Sequence, residues 1–377
     1  MKKIALCIRK SFQSRLGGDS IQVMKTKEFL EKKFDVLCDF ITDPKMITGD
    51  YSIVHVFNYS LYNDARAYFE AAKRLKIPIV SSSIYWDYQY ASIGVIYKLL
   101  NYKLKLNERN AKITIILARL IAALINKPVG LSRELKHSIN YFIKESDVVS
   151  PNSKEEGELV CKYAGVNYDE VKDKIGVVIN ATDEQQAYPI VDVCEKYSIP
   201  RDFVLQVGRV EFIKNQLNLL IALKDNPEIP IVIVGRHVDE KYSKRLKAIT
   251  KERGNVYFIE SVPHDEIYSF YHYAKVHVLM SLRESPGLVS LEALQSGCRV
   301  VLSDERFLPL NTYFEGISSY CSPLDVKQIK ECVLNEYKEI TPKYQLKGCF
   351  TWENAAEQTY NIYSKLFKHD FCMYGHL

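Results

Sequence analysis

The stretch Phe203-Val204-Leu205-Gln206-Val207-Gly208-Arg209-Val210-Glu211-Phe212-Ile213-Lys214-Asn215 decides how this chain is read. Its first five residues pattern as a short buried strand, Gly208 ends it, and Asn215 opens a helical pattern. A strand that runs into a helix through a glycine turn is the unit of a parallel α/β sheet, whose ligands sit at the carboxyl edge. Gly208 lets backbone approach a ligand, while Arg209 and Lys214 bring two cations near a helix N-terminus. A diphosphate carries roughly two negative charges to match them. Read alone, the turn is equally an ordinary surface loop.

The same rhythm recurs on both sides. Before the stretch, strands are expected at Ile4–Ile8, Phe34–Phe40, Ile53–Phe57, Ile77–Ser81, Asp147–Val149 and Lys174–Ile179. Helices are expected at Lys25–Lys33 and Asp64–Leu75, with a long helical region from Ile93 to Glu145. After it come strands at Ile231–Val234, Val256–Ile259, Val276–Leu279, Arg299–Leu302 and Ser318–Cys321, with helices between them. The pattern predicts an α/β fold of two doubly wound Rossmann-like domains facing each other across a cleft. The expected division is residues 1–183, a polar linker 184–200, residues 201–350, and a C-terminal helix 351–377 returning to the first domain. A chain of 377 residues exceeds one ordinary core and supports that division.

A second turn carries more chemistry: Ser281-Leu282-Arg283-Glu284-Ser285-Pro286-Gly287-Leu288-Val289-Ser290-Leu291-Glu292-Ala293. Pro286 suits a first helical turn and Gly297 the cap at the other end. Free N–H groups at Gly287, Leu288 and Val289 then face the carboxyl edge, flanked by Glu284 and Glu292. Carboxylates there would repel phosphate unless they accept hydrogen bonds from hydroxyls, as ribose-binding acids do. Glu284 thus suits a sugar and Glu292 a ribose. The competing reading leaves Glu284 complementing the helix dipole and Glu292 in water.

At this point the residues carry a resemblance. The second half resembles the donor domain of GT-B glycosyltransferases of the large retaining family 4, the glycosyl transferases group 1 type. Gly208-Arg209 with Lys214 is similar to its Gly-Arg-x4-Lys turn, and Glu284 with Glu292 to its Glu-x7-Glu motif. The likeness covers residues 200–305 firmly and touches Gly17-Gly18, Pro151-Asn152-Ser153 and Phe350-Thr351-Trp352. It implies that Arg209 and Lys214 neutralise a leaving diphosphate, Glu292 holds the ribose and Glu284 the donor sugar. It also implies that Gly287, Leu288 and Val289 touch phosphate or sugar, and that the Gly17-Gly18 loop approaches the diphosphate from the other domain. Transfer with retention and without a metal is implied as well, and the chain has no Asp-x-Asp.

The chain departs from that pattern at Ala181 and at Glu260-Ser261, where members often have glycine. It also lacks a histidine in Ser81-Ser82-Ser83-Ile84-Tyr85-Trp86-Asp87-Tyr88. There Tyr85 and Trp86 offer stacking faces for an acceptor sugar and Asp87 a proton acceptor, unless the aromatics pack inward. Asn58 is a further acceptor contact by its place at a strand end, with Tyr59 beside it. His55 reads as a packed core histidine.

Charge and cysteine usage bound the rest. Net charge is only +5, which gives no reason to expect nucleic acid. Residues Tyr97–Lys136 hold nine basic and two acidic residues, interleaved with apolar clusters. This is either a hairpin packed on the first domain or a basic surface for an anionic membrane. The nine scattered cysteines, with no C-x-x-C pair, fit buried thiols in a reducing compartment. The reading is a cytoplasmic enzyme, with peripheral contact at the inner membrane face as the alternative to the packed hairpin. It takes UDP- or GDP-sugar as cosubstrate, needs no cofactor, and serves a saccharide or lipid-linked acceptor in surface polysaccharide or glycolipid synthesis. Alternatives are a nucleotide-sugar 2-epimerase and a catalytically silent binding subunit of the same fold.

Overall fold

The computed structural model describes residues 1–14, 17–125, 133–183, 188–339 and 348–373. It divides into two compact units, one made of residues 1–86, 132–181 and 348–377, the other of 87–131 and 182–347.

Among the described residues the first unit has five parallel strands: β1 (Lys2–Cys7), β2 (Val36–Ile41), β3 (Ile53–Phe57), β4 (Ile79–Ser82) and β5 (Val148–Val149). Their order is β2-β1-β3-β4-β5, and Ile4 of β1 stands beside Cys38 on one side and Ile53 on the other. All residues of β3 and β4 are buried, so neither strand shows an apolar–polar alternation, and the buried polar His55, Ser81 and Ser82 are hydrogen-bonded in the interior. The helix Trp352–Met373 covers the helix Gly18–Lys33. Its Trp352, Ala355, Ala356, Ile362 and Tyr363 share a core with Ile4, Leu6, Val23 and Leu30. Each large apolar side chain buried there contributes about 1.5–3 kcal/mol, whereas the surface pair Lys33–Glu357 adds at most about 1. Packing fixes this helix. The strand expected at Lys174–Ile179 is reduced to one bridge, Val149–Ile175. A Cβ on the next residue, Gly176, would lie 2.8 Å from Ile362 Cδ1, so the helix occupies that side.

The second unit has six parallel strands among its described residues: β6 (Phe203–Val207), β7 (Ile231–Val234), β8 (Val256–Ile259), β9 (Ala274–Leu279), β10 (Arg299–Ser303) and β11 (Ser319–Cys321). They run in the order β11-β10-β9-β6-β7-β8, so the winding reverses between β6 and β9. Leu205 of β6 stands beside His277 of β9.

One expectation is corrected here. The helical region from 93 to 145 holds the helices Gly94–Leu99, Glu108–Ile125 and Arg133–Glu145, with Asn101 and Tyr102 at positive φ between the first two. The apolar faces of its residues 93–118 are buried in the second unit's own core, while Arg133–Glu145 belongs to the first unit. Ile93, Tyr97, Tyr102, Leu106, Ala111, Ile115 and Ala118 belong to the same core as Val204, Val210 and Leu219. Polar ties hold it there: Tyr102 Oη donates to Asp239 (2.8 Å), Lys98 pairs with Asp239 (3.0 Å), and Arg306 pairs with Glu108 (2.7 Å). The stretch read as a linker is also docked where it is described, since it forms the helix Val193–Lys196 and Val191 N donates to Ser269 Oγ (3.0 Å). Residues 184–187 of that stretch lie outside the described residues.

Candidate active site

Where a doubly wound sheet reverses, the loops after the two central strands part and leave a crevice for ligands. In the second unit those loops follow β6 and β9, and they are the two turns singled out in the sequence. Gly208 takes φ +137 and Gly235, after β7, takes φ +155. A Cβ on Gly235 would lie 2.0 Å from the Gly208 carbonyl oxygen, so only glycine admits this approach. The close pass keeps the strand edges bonded beyond the sheet proper, with Gly208 N donating to Val234 O and Val210 N to Arg236 O (both 2.9 Å).

The chain then makes a 3-10 turn, Phe212–Lys214, before the helix Gln216–Ala222. Leu282 N donates to Ile213 O, which stitches the two loops side by side, and Glu284 N donates to Phe307 O in the loop after β10 (both 2.8 Å). As a result the Lys214 ammonium meets the Glu284 carboxylate across 70 residues of chain. Their side chains are only 17% and 10% exposed. Arg209 differs: its side chain is 62% exposed and its guanidinium lies 2.9 Å from Glu211 Oε1. Of the two cations expected to meet phosphate, Lys214 is the enclosed one.

The helix Leu288–Gln295 starts from Gly287 at φ +94. Pro286 stands before that cap and not in the first turn, through a cis Ser285–Pro286 bond, while Gly297 (φ +69) follows the helix end as expected. Leu288 and Val289 are half-buried. One turn in, Glu292 is buried, not solvated. Its Oε2 accepts from Tyr271 Oη (3.1 Å) and its Oε1 lies 3.5 Å from His264 Nε2. Burial, then the Glu292 carboxylate, pushes the Tyr271 phenol well above its ordinary value.

Several residues at this edge carried no recognisable signal. Gln206 donates to Lys214 O (2.7 Å) and Gln216 to Arg209 O (2.9 Å), so two buried amides hold the backbone of the cationic turn. His277 on β9 lies 3.4 Å from Ser290 Oγ, and burial, aided by Lys214, pushes it down to about 3. Phe212 is gripped by the inserted segment, its ring 5.0 Å from Tyr97 and 5.9 Å from Tyr102. A Cβ at Gly94 would come 2.8 Å from Phe212 Cδ1. Gly94→Ala is therefore expected to displace the Phe212–Lys214 turn and lower turnover, and Phe212→Leu in the same chain to restore part of it. Steady-state kinetics on the three chains checks this.

The first unit gathers its own residues at the β1/β3 reversal. Gly17 caps the helix Gly18–Lys33, and Asp19 pairs with Arg9 (2.9 Å) and accepts from Asn58 (3.3 Å). Asn58, at φ +74, also accepts from Ser60 N (3.0 Å). Tyr85 and Trp86 are 1% and 4% exposed, so their rings pack inward and present no open stacking face. Tyr59 is likewise a core side chain, its hydroxyl 2.6 Å from Ser81 Oγ. Asp87 belongs to the second unit, and its carboxylate accepts from Gln89 N (2.8 Å) at the start of a short helix. His55 is buried between Tyr363 Oη (2.6 Å) and Ser82 Oγ (2.9 Å), and burial pushes it down to about 3. An unforeseen carboxylate, Glu156, sits in the interior, where it accepts from Ser83 Oγ and Tyr85 N (3.0 Å). Its Ser153-x-x-Glu156 spacing is that of a helix-capping box, and Ser153 does cap this helix (3.0 Å).

Residues 196–314 match the family model of glycosyl transferases group 1. This part of the chain is similar to the group 1 glycosyl transferases. The matched stretch holds both turns described above. Beyond it, the chain is 24% identical over 242 residues to the serotype-specific mannosyltransferase WbdA of Escherichia coli, covering 60% of this chain and 29% of that enzyme. The chain thus spans under a third of that relative's length. Among solved structures, sucrose-phosphate synthase from Thermosynechococcus elongatus superposes with a TM-score of 0.71 at 16% identity, covering 98% of this chain and 100% of that one. Anabaena HepE in complex with UDP-glucose gives 0.65 at 13% identity, over 98% and 99%. At such identities the likeness is one of fold, and the fold is GT-B. No helix among the described residues is long and apolar enough to cross a membrane.

Proposed function

We propose that the protein transfers a hexosyl group, with retention and without a metal ion, from a nucleoside diphosphate sugar to a saccharide or lipid-linked saccharide. The observation that carries this reading is the enclosed Lys214–Glu284 pair at the β6/β9 reversal. An ammonium has three donors, so Lys214 can serve Glu284 and a phosphate oxygen together. Glu284 then has an oxygen left for a sugar hydroxyl, beside the open start of the helix Leu288–Gln295. Glu292 lies one turn further along and suits the ribose hydroxyls, with the Tyr271 hydroxyl orienting it. As the glycosidic carbon–oxygen bond breaks, its electron pair goes to the diphosphate, and Lys214, Arg209 and the backbone N–H groups of Leu288 and Val289 meet the growing charge. The UDP-glucose bound to HepE supports a nucleoside diphosphate sugar as donor, and the mannosyltransferase name of the relative supports a hexosyl group.

A thermal-shift panel of UDP, GDP, ADP and dTDP tests the donor site. Ligand at 100 times its dissociation constant is expected to stabilise the fold by about 2.7 kcal/mol. Glu292→Ala should abolish that nucleotide-dependent shift, and a shift that survives unchanged refutes the ribose assignment. Release of UDP or GDP from its sugar only when acceptor is present separates transfer from epimerisation and from mere binding.

A further inference from the structure

The helix Glu108–Ile125 has two apolar faces, and the second unit uses only one. Ala111, Thr114, Ile115 and Ala118 are buried in its core. Ile113, Ile116, Leu117 and Leu120 are each between 47% and 58% exposed. At about 100° per residue these four span an arc of roughly 100° on the opposite side of the helix. Exposed apolar residues scattered singly are ordinary, but four at i, i+3, i+4 and i+7 form a continuous stripe.

We propose that this outward face docks the protein on an anionic lipid bilayer. The charges around the stripe have one sign. Arg109, Lys112 and Arg119 belong to the same helix, and Lys103 and Lys105 lie just before it, all exposed. Lys103, Lys105, Arg109 and Lys112 have no ion-pair partner among the described residues. The one acid of the helix, Glu108, is taken up by Arg306 and by Ser322 Oγ (3.0 Å). An apolar stripe rimmed by long cationic side chains matches a surface whose interior is hydrocarbon and whose rim is phosphate, since the stems can lie along the stripe while the heads reach the headgroups. With Glu108 held by Arg306 and Ser322, no free carboxylate of this helix repels such a surface. The helix would lie in the interface plane and not cross it. The proposal deepens the lipid-linked acceptor reading and rests on it for its purpose, but not for its observation.

The test is flotation of the full chain with vesicles of phosphatidylcholine alone or mixed with phosphatidylglycerol. Recovery with the anionic vesicles is expected to exceed that with neutral ones by about 10-fold at low salt and to fall away in about 0.5 M salt. Ile116→Glu with Leu120→Glu should lower that recovery about 10-fold, and Lys103→Glu with Arg109→Glu and Lys112→Glu should do the same. Both variants should keep the nucleotide-induced thermal shift, which shows that they fold. Absence of the unaltered chain from the floated fraction overturns the proposal, and so does recovery undiminished in both variants. A chain that is dimeric, does not float, and becomes monomeric in Ile116→Glu with Leu120→Glu assigns the face to a second copy instead. Flotation that persists without any sugar transfer would sink the proposed activity and leave the docking face standing.

Discussion

Lys214→Ala is expected to lower turnover by about 100- to 1,000-fold while leaving donor affinity within a few-fold of the original. The reason lies in when its charge is needed. A bound donor already carries roughly two negative charges, but the diphosphate gains another as the sugar departs, and only the transition state feels that increment. Lys214 is enclosed beside Glu284, where the low local dielectric magnifies its effect. Arg209, mostly in solvent, should matter less. Glu284→Ala is expected to be as damaging as Lys214→Ala, because it removes the group that holds the ammonium in place. The double variant should lose much less than the sum of the two, since each residue acts through the other. Initial-rate kinetics with separate kcat and KM for donor decides the matter. A variant whose loss sits wholly in KM would show that Lys214 only binds the ground state.

The second large effect is on acid stability. His55 and His277 are held to about 3 in the fold by burial, against 6.5 for an ordinary histidine, with Lys214 adding to the depression at His277. Between those values the unfolded chain binds a proton at each ring and the folded chain does not. Stability is therefore fully present above about pH 6.5 and falls as the pH drops toward 3, by up to about 1.4 kcal/mol per pH unit for each ring. The two rings lie in different units, so both units should become acid-labile. Thermal unfolding followed from pH 7.5 to 5 should show a falling midpoint, and His277→Gln should flatten that dependence for the second unit. A midpoint that holds steady down to pH 5 would mean that the rings are reached by protons in the fold.

The strands were legible because parallel strands covered by helices leave short runs rich in Val, Ile, Leu and Phe. Ile53–Phe57, Phe203–Val207, Ile231–Val234 and Val256–Ile259 have the same ends in the sequence reading and in the fold. The cationic turn and the acid pair were legible too, since each is a local pattern of charge around a strand end or a helix start. What local pattern cannot supply is partnership. Lys214 and Glu284 were read as facing different parts of a ligand, and the fold puts them against each other. Tyr97, Tyr102 and Ile115 showed an apolar face, but periodicity does not say which of two cores receives it. Gln206, Gln216 and His277 were invisible because a polar residue inside a strand or helix becomes meaningful only when its neighbour across the sheet is known. Tyr85 and Trp86 failed in the other direction, as aromatics at a loop read the same whether they face a sugar or the interior.

The way the chain weaves between its two units has a consequence for synthesis and for dissection. Neither unit is a continuous piece of polypeptide: the second borrows residues 87–131 from the early chain, and the first is finished only by the helix that ends at Met373. During translation the amino-terminal sheet must wait, partly uncovered, until that helix has emerged from the ribosome. A fragment cut at residue 182 would likewise lose the cover over Val204, Val210 and Phe212, and it should aggregate where the intact chain does not.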